Sequence, residues 1–351
     1  MTAAEPLRAV PQAQDASAPL PRFIACGGMT VDNVVTGDGR RLIGVCGGNA
    51  FYSAVGMAVW SDRVGIVARV GDDYPGDCLS RAGDHGIDLR GLRLRPGPHQ
   101  LRVAFAYRPD GARTRGVPAD ILSTIPTAER ELFRDTTFED ETYLAFNPRP
   151  TDFPDRWIAE AQGLHLPALR FVTHDEITAH VRGRRTDIPI TIDSPWYEGS
   201  DVPGENIADV LGRASVVLPS AEDLRVVWPD LEPDDAARAL IARGARAVVV
   251  KLGSRGSLVI DERGRAWQVP AVALDATEPT GAGDAFCGGL LVGLVASRGD
   301  LVDAACHGTV SASLIVETDS PVDALDRLDR GRMVERLSLI RNGVRQIGGA
   351  S

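Results

Sequence analysis

The residues with the clearest chemical potential lie in "EPTGAGDAF", residues 278–286. Pro279, Gly281 and Gly283 precede a single acid, Asp284, and the apolar run "AFCGGLLVGLVA" follows at once. A helix start presents unpaired backbone N–H groups and the positive end of the helix dipole. Glycines let a ligand come close to that backbone. Thr280, Gly281, Ala282 and Gly283 therefore make a cradle for an anion. An acid closing the cradle repels the anion, so its useful task is to take a proton from a hydroxyl beside it. Donors for developing charge and a base for the nucleophile are what phosphoryl transfer needs. The plain alternative is that Asp284 only caps a helix after a glycine turn. The loop does not end in Gly-Lys-Ser/Thr and holds no G-x-G-x-x-G, so it is neither a Walker loop nor a dinucleotide fingerprint.

The elements that must carry this turn are legible as alternation. Short apolar runs at 22–28, 64–71, 142–146, 188–193, 215–219 and 247–253 read as strands. They are continuous rather than alternating, which suits a mostly parallel sheet covered on both faces. "NAFYSAVGMAVW", "DDAARALIARG" and "AFCGGLLVGLVASRG" read as helices, with Gly244 and Gly299 as stops. The expected fold is a doubly wound α/β sandwich. Two stretches break the pattern. Residues 34–45 carry Gly-Asp-Gly and residues 99–117 carry Pro-Asp-Gly between apolar residues. Both read as antiparallel strands of a small β-lid, or as surface hairpins. Residues 1–21, rich in Ala, Pro and polar types, read as a loose tail ahead of one domain over 22–345.

The bulk numbers narrow the classes. The 351 residues are 44% hydrophobic and 25% charged, which predicts a packed core. A net charge of -10 argues against a general nucleic-acid binder. No run reaches the roughly 18 apolar residues of a membrane span, and the start lacks a secretory pattern. Cys26, Cys46, Cys78, Cys287 and Cys306 make an odd count without C-x-x-C, so reduced thiols and a cytoplasmic setting are expected. His174 and His180 are six apart on an expected helix, a poor spacing for a zinc site.

Four segments together resemble the ribokinase-like (pfkB-type) carbohydrate kinases. "EPTGAGDAFCGGLLVGL" resembles the family's C-terminal signature, D-T-x-G-A-G-D-x-F-x-x-G. "CGGNAFYSAVGMAVW" resembles its G-G motif and Ala-rich helix, and "VGIVARVGDDYPGD" its V-G-x-D-x-x-G segment. "VVVKLGSRGSLV" resembles its K-x-G-x-x-G motif. The four stand in family order across roughly 22–330. The resemblance implies ATP-dependent phosphorylation of a hydroxyl on a small sugar-like substrate. It implies Asp284 as base, the amides of Gly281, Ala282 and Gly283 as anion hole, and Lys251, Gly253, Gly256 and Thr280 near the nucleotide. Asp32, Gly47, Gly48 and Asn49 then face the sugar. Taken plainly, Asp32 is a turn residue, Gly47-Gly48 a tight helix entry, Lys251 a surface lysine and Asp73 a loop brace.

The sequence also departs from the family pattern. Tyr52 stands where Asn is usual, and an aromatic ring there suits a sugar face or a base. Ser220 and Asp223 replace the Asn and Glu that organise Mg²⁺ through water, with Glu222 as an alternative; Ser220 as a helix cap is the competing reading. Glu278 replaces Asp in a neighbourhood where relatives form a K⁺ site from carbonyls. Lid residues Arg102, Phe105 and Tyr107 are expected to shape substrate choice; lids of this kind often pair across a homodimer in the family, and the sequence leaves the oligomeric state open. Two other readings stay open: a nucleoside kinase on the same scaffold, and a non-catalytic sugar or nucleotide sensor.

Overall fold

The computed structural model describes residues 18–108, 113–114, 116–195, 207–274 and 280–347. In chain order the strands are β1 (Phe23–Cys26), β2 (Thr30–Val35), β3 (Arg41–Gly47), β4 (Val64–Gly71), β5 (Ile87–Asp88), β6 (Leu92–Arg95) and β7 (Arg102–Ala106). They continue as β8 (Gly163–Leu166), β9 (Ile190–Ile192), β10 (Val216–Val217), β11 (Val248–Lys251), β12 (Ser257–Ile260), β13 (Ala266–Val269) and β14 (Arg345–Ile347). Among the described residues, eleven strands form one sheet, ordered β14-β13-β12-β11-β10-β9-β8-β1-β4-β5, with β6 also on β4. From β11 through β5 the pairs are parallel, and β11-β12-β13-β14 are antiparallel.

Successive side chains of a strand point to opposite faces, and the core follows that rule. Phe23 and Ala25 pack on one face of the sheet, while Ile24 and Cys26 pack on the other. Val249 likewise joins the first cluster, and Val248 and Val250 join the second. The first face is covered by helices Asn49–Ala58, Ala282–Ala296 and Leu301–Ile315, through Phe51, Leu290 and Val310. The second is covered by helices Phe171–Arg182 and Pro233–Ala242, through Ile177 and Leu240. Burial on both faces explains why these strands read as unbroken apolar runs.

A second sheet, ordered β3-β2-β7, stands apart. β2 and β3 form the expected antiparallel hairpin, turning through Gly39 at φ 82. β7 lies parallel to β2, pairing Val31 with Arg102 through Val35 with Ala106, while the antiparallel expectation for 99–117 holds in its own return, where Tyr107 bridges Arg113 and Thr114 N donates to the Ala106 carbonyl at 2.8 Å. A connection through the larger sheet separates β2 from β7, which allows their parallel pairing. The Pro-Asp-Gly turn lies outside the described residues.

Two expectations need correction. "TYLAF" forms part of a helix, Asp140–Phe146, rather than a strand. Glu139, Asp140 and Glu141 favour a helix start there, and Tyr143 and Phe146, three apart, are its buried residues. The sheet position falls to β8, whose "GLHL" is too short to stand out. Of the expected tail, residues 1–17 lie outside the described residues. Packing begins before residue 22, because Pro21 is buried and the Leu20 carbonyl accepts from Arg63 Nε at 2.9 Å.

Candidate active site

Two helices on the same face of the sheet position the site. Helices Asn49–Ala58 and Ala282–Ala296 pack with their backbones in contact. A Cβ at Gly56 would lie 2.1 Å from the Ala285 carbonyl oxygen, and one at Gly288 would lie 1.9 Å from that of Ser53. Only glycine permits this approach. Gly48, at φ 104, caps the first helix, and Gly281, at φ 78, caps the second. Neither has a side chain to occupy the N–H groups of its helix start.

Both starts line one cavity of about 730 Å³. Its walls include Asp32, Asn49, Leu101, Tyr107 and Tyr143. Gly281, Ala282, Gly283 and Asp284 line it with Lys251. Gly253, Val272, Leu274, Thr309 and Ser313 line it as well. Tyr107 Oη lies 2.9 Å from Thr280 Oγ1, so the chain just past β7 touches the glycine turn.

Asp284 is the third residue of its helix and is partly exposed to the cavity. Burial pushes its carboxyl up to about 7; Lys251 opposes the rise, Asp193 and Asp223 add to it, and Arg113 opposes it more weakly. No hydrogen bond to this carboxylate occurs among the described residues. Lys251 ends β11 as an ion pair with buried Asp193. Its Nζ lies 3.6 Å from Cys287 Sγ and 3.8 Å from where a Cβ on Gly283 would sit. Burial works to discharge the ammonium, but Asp193 and its neighbours hold its pKa above the ordinary lysine value. The result is a fixed cation beside the glycine turn.

The other expected residues occupy distinct places. Asp32 is 4% exposed, accepts a hydrogen bond from Thr30 Oγ1 and faces the cavity. Gly47 lies behind it: a Cβ there would be 2.1 Å from Asp32 Oδ2, and Gly47 itself does not line the cavity. Asn49 braces the loop, accepting from Gly28 N at 2.8 Å and donating to the Ala168 carbonyl at 2.8 Å. The Tyr52 ring packs on Gly281, where a Cβ would lie 2.2 Å from Cδ1. Tyr52 also lines the cavity. Gly256, at φ 84, abuts the Val269 carbonyl of β13, whereas Gly253, at φ 60, has open space before it.

Ser220 and Asp223 form a reciprocal capping box at the start of helix Ala221–Val227, through Asp223 N to Ser220 Oγ at 3.0 Å and Ser220 N to Asp223 Oδ2 at 2.8 Å. Both line the cavity with Glu222. Asp73 accepts from His99 N, the bracing role expected of it. Phe105 is buried and meets Tyr107 edge to face, while Arg102 lies 3.8 Å from Asp73. Glu278 lies outside the described residues. Asp193 was missed in the sequence, although an acid closing the strand "ITID" is a usable signal. Thr309 and Ser313 were also missed; with Ala312 and Val316 they follow a one-face helical spacing.

A family model for pfkB family carbohydrate kinases matches residues 179–327. Aminoimidazole riboside kinase of Salmonella typhimurium is 36% identical over 254 residues, covering 70% of this chain and 72% of that protein. A 5-dehydro-2-deoxygluconokinase of Bacillus velezensis is 33% identical over 290 residues, covering 80% and 82%. The structure of a Burkholderia thailandensis nucleoside kinase in complex with inosine superposes with a TM-score of 0.67 at 17% identity, over 91% of this chain and 99% of that one. The ribokinase fold, with a large mostly parallel sheet and a separate small one, defines the class. The chain belongs to the pfkB family of carbohydrate kinases, phosphotransferases that act on a hydroxyl group. No helix among the described residues is long and apolar enough to cross a membrane.

Proposed function

We propose that this kinase transfers the γ-phosphoryl group of ATP to a hydroxyl of a sugar or sugar-bearing small molecule, with Asp284 as general base. The observation that carries the reading is the Gly281–Asp284 turn facing one cavity, with a glycine cap and a carboxylate that accepts no hydrogen bond among the described residues. A hydroxyl held near Asp32 and Asn49 gives its proton to Asp284 as it attacks. The amides of Gly281, Ala282 and Gly283 and the Lys251 ammonium meet the charge that gathers on the transferring phosphoryl oxygens. The triphosphate extends past Gly253, and Val272, Leu274, Thr309 and Ser313 receive the nucleotide base.

The reaction also calls for a divalent cation, and the residues present fit one. Glu222 and Asp223 bring oxygen donors to the cavity wall, as a hard ion such as Mg²⁺ prefers. Asp223 Oδ2 accepts from Ser220 N at 2.8 Å in its capping box. The bound ion would neutralise phosphate charge.

A second reading, a nucleoside kinase, is favoured by the apolar and aromatic wall of Leu101, Val103, Tyr107 and Tyr143 beside Asp32. The test is ATP consumption over equal concentrations of sugars, polyols and nucleosides, with and without K⁺. At least one acceptor should turn over in the wild type, and Asp284→Asn should lose about 10³-fold or more in kcat. Normal turnover by Asp284→Asn overturns the mechanism. Ligand-induced stabilisation without product for any acceptor would favour a sensor instead.

A further inference from the structure

Cys46 and Cys78, 32 residues apart, form a disulfide. This corrects the expectation of uniformly reduced thiols: neither residue belongs to a recognisable cysteine motif, and only the fold brings β3 beside helix Gly76–Asp84. The bond sits at a consequential place. Cys46 is the next-to-last residue of β3, directly before Gly47, and Gly47 backs the Asp32 carboxylate. Tyr74, just ahead of Cys78, donates from Oη to the Gly47 carbonyl at 3.3 Å. The far end of helix Gly76–Asp84 is fixed to the body of the protein, since Arg81 pairs with Asp323 at 3.0 Å and His85 meets Asp326 at 2.7 Å. The disulfide is thus a covalent tie between the small sheet, at the loop that backs Asp32, and the large domain.

We propose that Cys46–Cys78 is a redox latch on the Asp32 wall of the cavity, opened by low-molecular-weight thiols and closed by low-molecular-weight disulfides; its effect on catalysis rests on the kinase reading above. A thiolate attacks Cys78 Sγ, which is only partly buried, and expels the fully buried Cys46 as thiolate. A second thiolate then attacks the sulfur of the bound small thiol and expels Cys78 as thiolate. Two electrons and two protons pass to the pair, leaving two cysteine thiols and one small disulfide. The remaining cysteines do not compete. Cys26, Cys287 and Cys306 are buried, and burial raises the pKa of each, Cys306 to about 12, which leaves little thiolate for exchange. Opening the latch removes the covalent restraint on Cys46–Gly48, leaving the backing of Asp32 to the β2–β3 pairing and the Tyr74 hydrogen bond alone, while the Gly281–Asp284 turn is untouched.

The experiment uses the full chain, equilibrated with either oxidised glutathione or dithiothreitol. Alkylation under denaturing conditions and peptide mass analysis should find a linked Cys46–Cys78 peptide in the first sample only. Reduction should raise the acceptor KM about threefold or more, move the ATP KM less than twofold, and reverse on reoxidation. Cys78→Ser should match the reduced enzyme and ignore both reagents. A merely structural bond would lower the melting temperature without separating the two KM values, and that result overturns the proposal. So does the absence of a linked peptide after oxidation. If no acceptor is turned over at all, the kinase reading fails by itself. The latch is then decided by peptide linkage and by whether reduction changes deuterium uptake over 46–49 relative to 281–284, equal uptake overturning it.

Discussion

Two helix starts in this molecule obey the same local grammar with opposite results. Helices Ala221–Val227 and Ala282–Ala296 both follow a strand or turn and both carry an aspartate at their third position. At the first, Ser220 and Asp223 satisfy each other, two hydrogen bonds closing a capping box. At the second, Gly281 offers no side chain, so the amides stay open and Asp284 is not spent on the backbone. The acid is then left among Lys251, Asp193 and Asp223, where burial raises its pKa. A serine cap stabilises its helix, whereas a glycine cap leaves the helix start available for chemistry.

The sharpest way to break this contrast is to make the second start resemble the first. Gly281→Ser introduces a capping hydroxyl at φ 78 and drives its Cβ into the Tyr52 ring. The expected loss is about 10³-fold in kcat, measured by coupled ATP consumption; a loss under tenfold would show that open amides are not essential. Lys251→Met comes next. It removes the cation beside the turn, so kcat should fall about 10²-fold, with Lys251→Arg restoring part of the loss. If Lys251 instead serves only ground-state nucleotide binding, the ATP KM will rise and kcat will hold.

The pH profile probes the same acid more gently. A base must be ionised, and the Asp284 carboxyl is raised to about 7. The kcat/KM should therefore fall about tenfold per unit below that pH and level above it. In Lys251→Met the falling limb should move up by about one pH unit, since the opposing cation is gone. The sign for stability is opposite to that for activity. A carboxyl that binds its proton more tightly when folded destabilises the fold as pH rises from about 4 to 7. Asp284→Asn should therefore melt higher than the wild type at pH 8. The smallest effect is expected at the first helix start. Ser220→Ala loses a cap worth about 1 kcal/mol, visible as a lower melting temperature with turnover nearly unchanged. A large turnover loss at unchanged melting would place Ser220 in the chemistry instead.

Much of this was written in the chain itself. Runs such as "VGIVARVG" and "AVVVKLG" announce strands buried on both faces, and a glycine turn before one acid and an apolar run announces a helix start without a side-chain cap. These are local properties, fixed by side-chain volume, backbone freedom and hydrogen-bonding capacity over a few neighbours. What tertiary structure decided are the meetings between distant residues. "TYLAF" became a helix because neighbouring acids and packing outweighed its apolar look. Tyr52 was claimed by Gly281, Lys251 by Asp193, and Cys46 by Cys78, each through contacts spanning 32 or more positions. Local pattern sets what a residue is able to do, but burial, charge and partners reach it through space, and those belong to the folded chain.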